Sequence, residues 1–233
     1  MLFRSFEVIK KINKGKTTVK TRIISDSKHV LRVDEERTNQ IDDENLSNQL
    51  EEMILGNGFD VIIFEDYNKG LLSESLIQKA ITAAQQKGIP TIVDPKKDNF
   101  FAYKGVDVFK PNLKEIKEGL NVDFDVQSEK ELSKNVETLR EKLSAKAVLL
   151  TLSEHGIYFQ NSSNIYRESA HKRNIIDVSG AGDTVVSVAS LALASGLDDE
   201  NMMRIANLAG GLVCEKVGVV PIKKQDLLQA SRK

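Results

Sequence analysis

The 233-residue sequence lacks most of the features that would assign a chain at a glance. It has a single cysteine, Cys214, so it can form no internal disulfide and no cysteine-rich metal centre, which fits a reducing compartment. Cys214 reads as a buried thiol. An excess of charge of one sign is also missing, since 33 Lys and Arg stand against 34 Asp and Glu for a net charge of −1. Without a global field to hold a polyanion against salt, nucleic acid is not an expected partner and a small molecule is preferred. No apolar run approaches the ~18 residues of a membrane span, because Lys, Asp or Glu interrupts each one. The opening Met1-Leu2-Phe3-Arg4-Ser5-Phe6-Glu7 lacks the apolar stretch of a secretory signal. The expectation is therefore a cytoplasmic protein with no membrane partner. Low-complexity tracts, fixed-period repeats and Pro/Ser-rich linkers are absent too, so one domain is expected over 1–233, long enough to bury a sizeable core.

What is present is an alternation of helix and strand. Thr17 to Ile24 and His29 to Val33 alternate like two half-exposed strands around a turn at Ser25-Asp26-Ser27-Lys28. Apolar spacing predicts a helix from Asp43 to Leu55, followed by a covered strand at Val61-Ile62-Ile63-Phe64. The beat repeats with a helix over Ser73 to Gln86 ending at Gly88, and strands at Thr91-Ile92-Val93 and Val106 to Phe109. Helices at Leu113 to Gly119 and Ser128 to Leu143, a strand over Ala147 to Thr151 and a hairpin over Gly156 to Arg167 come next. Helices at Gly182 to Ser195 and Asp199 to Lys216 close the chain. Such a period predicts an α/β fold, a mostly parallel central sheet with helices on both faces.

The strongest local pattern is Asp177-Val178-Ser179-Gly180-Ala181-Gly182-Asp183-Thr184, set between Ile175-Ile176 and a long apolar helix. Two glycines two residues apart let the backbone approach a ligand, and a helix starting there aims free N–H groups and its positive dipole end outward. The result is an anion hole at Gly180, Ala181 and Gly182. Asp183 has two readings: an ordinary helix cap, or the carboxylate that takes a proton from an attacking hydroxyl. Asp66, Tyr67, Lys69 and Gly70 follow one predicted strand, and Asp94 and Lys96 follow the next, at the C-terminal rim where open α/β sheets bind ligands. They are substrate-side candidates. Lys96 suits either the countering of a substrate phosphate or a surface ion pair.

The octet followed by an apolar helix resembles the C-terminal signature of the ribokinase-like (PfkB) family of carbohydrate kinases. Asp94-Pro95-Lys96, Lys110-Pro111-Asn112-Leu113-Lys114-Glu115, Thr151-Leu152-Ser153-Glu154-His155-Gly156 and Ala206-Asn207-Leu208-Ala209-Gly210-Gly211 resemble its other blocks, in order. The resemblance implies a three-layer sandwich with a small β lid over 17–36, and ATP and Mg²⁺ as cofactors. It makes Asp183 the general base and 180–182 the phosphate site. It gives nucleotide-binding roles to Thr151, Ser153, Gly156 and Asn207, and places Asn112 and Glu115 in the metal region, acting indirectly. A capping box for Asn112 and Glu115, and a plain turn for Thr151 to Gly156, are the competing accounts. Arg22, Arg32 and Asp34 fall in the lid, where solvated edge charges are the alternative.

Lys20 to Ile24, Leu31 to Glu36, Glu65 to Leu72 and Val93 to Phe100 are similar to members that phosphorylate D-glycero-D-manno-heptose 7-phosphate, on the route to lipopolysaccharide cores. That sugar phosphate is the implied acceptor. Other sugars, or a nucleotide-binding remnant without turnover, are the alternatives, and lid pairing into a homodimer is a further expectation. Family members carry additional residues ahead of the lid, including a Gly-Gly pair that grips the sugar; no Gly-Gly precedes Gly210 here, so an N-terminally shortened version of the fold is expected.

Overall fold

The computed structural model describes residues 18–25, 28–36, 44–171 and 173–232. Two strands, β1 (Val19–Ser25) and β2 (Lys28–Glu35), pair antiparallel as a separate two-stranded sheet. Thr17, Asp26, Ser27 and Asp43, at the edges of the predicted elements, lie outside the described residues. The body is a six-stranded sheet in sequential order: β3 (Ile62–Glu65), β4 (Thr91–Asp94), β5 (Val108–Phe109), β6 (Ala147–Thr151), β7 (Ile157–Asn161) and β8 (Ile165–Glu168). The first four strands run parallel, and β7 and β8 add an antiparallel edge.

Helices α1 (Glu44–Gly56), α2 (Glu74–Lys87), α3 (Leu113–Leu120) and α4 (Glu129–Leu143) serve one face, α5 (Ala181–Ala194) and α6 (Asp199–Val213) the other. A short α7 (Lys224–Ala230), not foreseen from the sequence, packs on α6. Strand side chains alternate between two cores. Phe64, Val93, Phe109, Val148 and Leu150 join the α1–α4 side, whereas Ile92, Val108, Ala147 and Leu149 join the α5–α6 side. That alternation requires apolar residues at successive strand positions, which is why these strands read as continuous apolar runs.

Local signals set the helix ends. Ser73 Oγ accepts from the Leu76 N–H at 3.2 Å to start α2, and Gly88 at φ 66° ends it. Asp198 caps α6 through the Asn201 N–H at 2.9 Å, and α6 ends at Val213, three residues short of the expected end at Lys216. Cys214 is buried and free, as expected. Strand β5 is two residues shorter than predicted. Asp107 Oδ2 accepts from both the N–H and the hydroxyl of Thr91, at 2.7 and 2.9 Å, so a side chain takes over from the ladder there. Among the described residues no helix is long and apolar enough to cross a membrane.

Candidate active site

The C-terminal ends of β3 and β4 and the start of α5 converge on one rim. Parallel register puts Glu65 beside Asp94, the last residues of their strands. Helix α5 packs against both strands, bringing Asp183 from its first turn to the same place. One carboxylate oxygen each from Glu65, Asp94 and Asp183 lies within 4.8 Å of the other two. Behind them Lys110, 2% exposed, pairs with Asp94 at 3.2 Å. Lys96 contacts Asp94 at 3.6 Å and Glu115 at 3.0 Å.

The electrostatics follow from this crowding. Burial first, then the neighbouring Asp94 and Asp183 carboxylates, push the Glu65 carboxyl up to about 7, with Lys110 and Lys96 offsetting part of the rise. Burial and the same negative field, including a hydrogen bond to Asp183, push the Tyr67 hydroxyl up to about 12. Burial draws Lys96 down, but Asp94 and Glu115 outweigh it and leave the ammonium raised. The rim therefore holds more negative charge than its lysines neutralise, and its three carboxylates fit a divalent cation of oxygen preference.

Against this rim stands the glycine-rich turn. Gly180 is the N-cap of α5 in the left-handed region at φ 81°, and no side chain caps the helix. Asp183, third residue of the helix and exposed, is thus not its cap; its carboxylate is turned to Tyr67 and the rim. A Cβ on Gly182 would meet only the Lys110 Nζ at 3.7 Å and Asp94 Oδ2 at 3.8 Å, so this backbone opens directly on the charged cluster. Asp177 braces the turn. Its carboxylate accepts from the Ser179 N–H at 2.9 Å and the Gly218 N–H at 3.0 Å, bonds that hold its carboxyl below the usual range.

The remaining predicted residues divide. Asn112 and Glu115 form the capping box of α3: Asn112 Oδ1 accepts from the Glu115 N–H and Glu115 Oε2 from the Asn112 N–H, both at 2.9 Å. The other Glu115 oxygen reaches the rim through Lys96. Thr151, ending β6, bridges to Asn112. Ser153 sits at φ 52° in the turn after it. Gly156 and Asn207 meet a common segment: a Cβ on Gly156 would collide with the Glu168 carbonyl, and Asn207 Nδ2 donates to the Ser169 carbonyl at 3.0 Å. Lys69 pairs with Glu36 of the lid at 2.5 Å.

Asp66 departs from the substrate-side expectation. It is 3% exposed and turned inward, accepting from the Asn68 N–H at 2.8 Å, Asn99 Nδ2 at 3.0 Å and the Tyr103 hydroxyl at 2.7 Å. Three donors satisfy the carboxylate and tie the loop after β3 to the core. Sequence reasoning passed over Glu65 and Lys110. The available signal was that Glu65, like Asp94, is the first carboxylate after an apolar strand, and adjacent parallel strands bring such ends together.

An uncapped glycine-rich helix start faces three carboxylates and the buried Lys110 at the C-terminal rim of a three-layer α/β sandwich, an arrangement suited to phosphate groups. The chain belongs to the pfkB family of carbohydrate kinases, whose family model matches residues 7–225. Kinases of this family use ATP with a divalent cation. The chain is 34% identical over 221 residues to the bifunctional protein HldE of Syntrophotalea carbinolica, covering 93% of this chain and 44% of the relative. It is 36% identical over 216 residues to HldE of Koribacter versatilis, with coverages of 92% and 44%. The chain thus spans less than half the length of these relatives. Among solved structures, phosphofructokinase-2 from Escherichia coli in complex with potassium superposes with a TM-score of 0.71 at 25% identity, over 82% of this chain and 62% of that one. Arabidopsis thaliana ribokinase, complexed with ribose and ATP, shares the fold with a TM-score of 0.69 at 16% identity, over 91% and 68%.

Proposed function

We propose that this chain transfers the γ-phosphoryl group of ATP to a hydroxyl of a phosphorylated sugar, with D-glycero-D-manno-heptose 7-phosphate as acceptor and the 1,7-bisphosphate as product. The observation that carries the reading is the uncapped start of α5, which presents its backbone and Asp183 to one cluster of charged groups. Asp183 accepts the proton of the attacking hydroxyl while the 180–182 backbone donates to the oxygens of the moving phosphoryl group. Tyr67 orients the Asp183 carboxylate and Lys110 fixes Asp94 beside it. Glu65, Asp94 and Asp183 would hold Mg²⁺, which when bound supplies positive charge to the nucleotide phosphates. Thr151, Ser153, Gly156 and Asn207 line the nucleotide side, Asp94, Lys96 and Lys69 the acceptor side, and Asn112 and Glu115 support the metal region through Lys96. Asp66 supports the acceptor side by fixing its loop.

The lid's outer face supports pairing with a second copy: Val19, Ile23, Leu31 and Val33 are each 47–51% exposed on one side of the two-stranded sheet. A solved structure of phosphofructokinase-2 is described as tetrameric.

The test is kcat/KM for a panel of acceptors at fixed Mg-ATP, with products assigned by phosphorus NMR. Heptose 7-phosphate should exceed fructose 6-phosphate and ribose. Preference for either of those would replace the acceptor, and Mg-ATP binding without transfer to any sugar would replace the kinase by a nucleotide-binding remnant.

A further inference from the structure

The loop after β3 sends its side chains in three directions. Asp66 turns into the core, where Asn99 Nδ2 and the Tyr103 hydroxyl donate to it at 3.0 and 2.7 Å. Lys69 turns to the lid and pairs with Glu36. Between them Tyr67 turns to the rim, its hydroxyl hydrogen-bonded to Asp183. The backbone leaves it little freedom, because the Asn68 N–H donates to Asp66 Oδ1 at 2.8 Å and Asn68 holds the left-handed conformation at φ 51°. Tyr67 is thus fixed at its backbone and at its hydroxyl.

Its ring is nevertheless uncovered. Of the four tyrosines, Tyr103 and Tyr158 are 0% and 2% exposed, and Tyr166 packs against Phe159. Tyr67 is 47% exposed. A half-exposed ring is ordinary on a protein surface. Here the hydroxyl is tied to the proton acceptor of the site, so the ring stands beside the place where the reacting hydroxyl must come. That hydroxyl approaches Asp183 to about 2.7 Å, which lays the carbon skeleton behind it alongside the phenol. An anionic group gains nothing there, since the face of an aromatic ring is itself negative and the rim carries three carboxylates. The C–H face of a sugar ring suits the place: it is apolar, and its hydrogens are slightly positive.

We propose that the Tyr67 ring is the platform on which the acceptor's sugar ring stacks, C–H face to aromatic face, while the Tyr67 hydroxyl holds the base. The inference rests on the kinase reading above and deepens it, naming the acceptor class as a cyclic sugar recognised by its carbon skeleton. The two ends of one side chain then separate kinetically. Tyr67→Phe keeps the ring and loses the bond to Asp183, so kcat should fall about 10-fold with the acceptor KM unchanged. Tyr67→Leu loses the ring as well, and the acceptor KM should rise about 5- to 10-fold, the worth of one aromatic stacking contact. The KM for Mg-ATP should stay unmoved in both variants. Their melting temperatures should stay close to that of the wild type, because the ring fills no core.

Tyr67→Trp reads the platform without turnover. The sequence has no tryptophan, so all indole emission in this variant comes from the platform. Heptose 7-phosphate or fructose 6-phosphate, both cyclic, should shift that emission, and the open-chain sorbitol 6-phosphate should shift it far less. A shift by a cyclic sugar phosphate in the absence of any wild-type turnover supports the platform and removes only the kinase reading. Turnover with one acceptor KM shared by the wild type, Tyr67→Phe and Tyr67→Leu overturns the platform and leaves the kinase reading intact. Emission that ignores both cyclic sugars, or answers sorbitol 6-phosphate equally, overturns it too. A parallel rise of the acceptor and Mg-ATP KM values in Tyr67→Leu marks a structural role and has the same consequence.

Discussion

The rim at the start of α5 and the lid hairpin are built on opposite terms. The rim is anchored from behind: Asp94 is 6% exposed and ends β4, Lys110 is 2% exposed and follows β5, and the residues of both strands fill two cores. The lid has almost none of this support; its apolar residues are half-exposed, and an ion pair between Glu36 and Lys69 joins its base to the body. Under the proposed function, chemistry that must be positioned within fractions of an ångström is held by the core, while contact with the acceptor falls to an element held by a few charges. Substitutions at the rim should therefore change catalysis or stability strongly, and substitutions at the lid should change substrate affinity.

The largest effect belongs to Asp183→Asn. It removes the proton acceptor and should lower kcat about 10³-fold, with the melting temperature little changed, as scanning calorimetry would show. Lys110→Met comes next. It leaves Asp94 with Lys96 alone at 3.6 Å, and breaking a buried pair costs about 3 kcal/mol, measurable by urea denaturation. Gly182→Ala separates packing from approach. The added methyl meets only Lys110 and Asp94 at 3.7 Å or more, so folding should be unaffected, while turnover should fall about 10²-fold as the backbone is screened from the phosphoryl oxygens.

A smaller effect is expected from pH. The Glu65 carboxyl is raised from 4.5 to about 7, so the folded protein binds this proton more tightly than the unfolded chain does. Its stabilising neutral form is fully present below about 4.5 and is lost as pH rises through 7. Glu65→Gln should thus melt progressively higher than the wild type over that window and stay higher above it. Added Mg²⁺ should shrink the difference, because a cation restores the ionised form. The smallest effect should come from Glu36→Gln, about a threefold change in acceptor KM with stability unchanged, in keeping with a single partly exposed ion pair. A large loss of stability in this variant would break the contrast between lid and rim.

The strands and the α5 turn were readable from the sequence because each rests on short-range chemistry: apolar runs for covered strands, and Gly-Ala-Gly before an apolar helix for the turn. The composition of the rim was only half readable. Glu65 joins the site through a register that pairs it with Asp94, 29 positions further along the chain, which local pattern does not encode. Asp66 stands next to Glu65 yet points the other way, since successive side chains leaving a strand alternate, and Asn99 and Tyr103 meet it from a distant segment. Asn112 and Glu115 kept two readings because a capping box and a site contact use the same residues, and the structure shows the box complete with one Glu115 oxygen left for Lys96. The length of β5 depended on Asp107 bonding to Thr91, again a contact between segments.

The measurement that tests the central claim most directly follows the label from γ-phosphoryl-labelled ATP in the presence of Mg²⁺ and heptose 7-phosphate. The account predicts transfer to the sugar in one-to-one proportion with ADP, dependent on the sugar and lost in Asp183→Asn. Label released as inorganic phosphate at a rate indifferent to the sugar, or transfer to sugar that survives in Asp183→Asn, would contradict it.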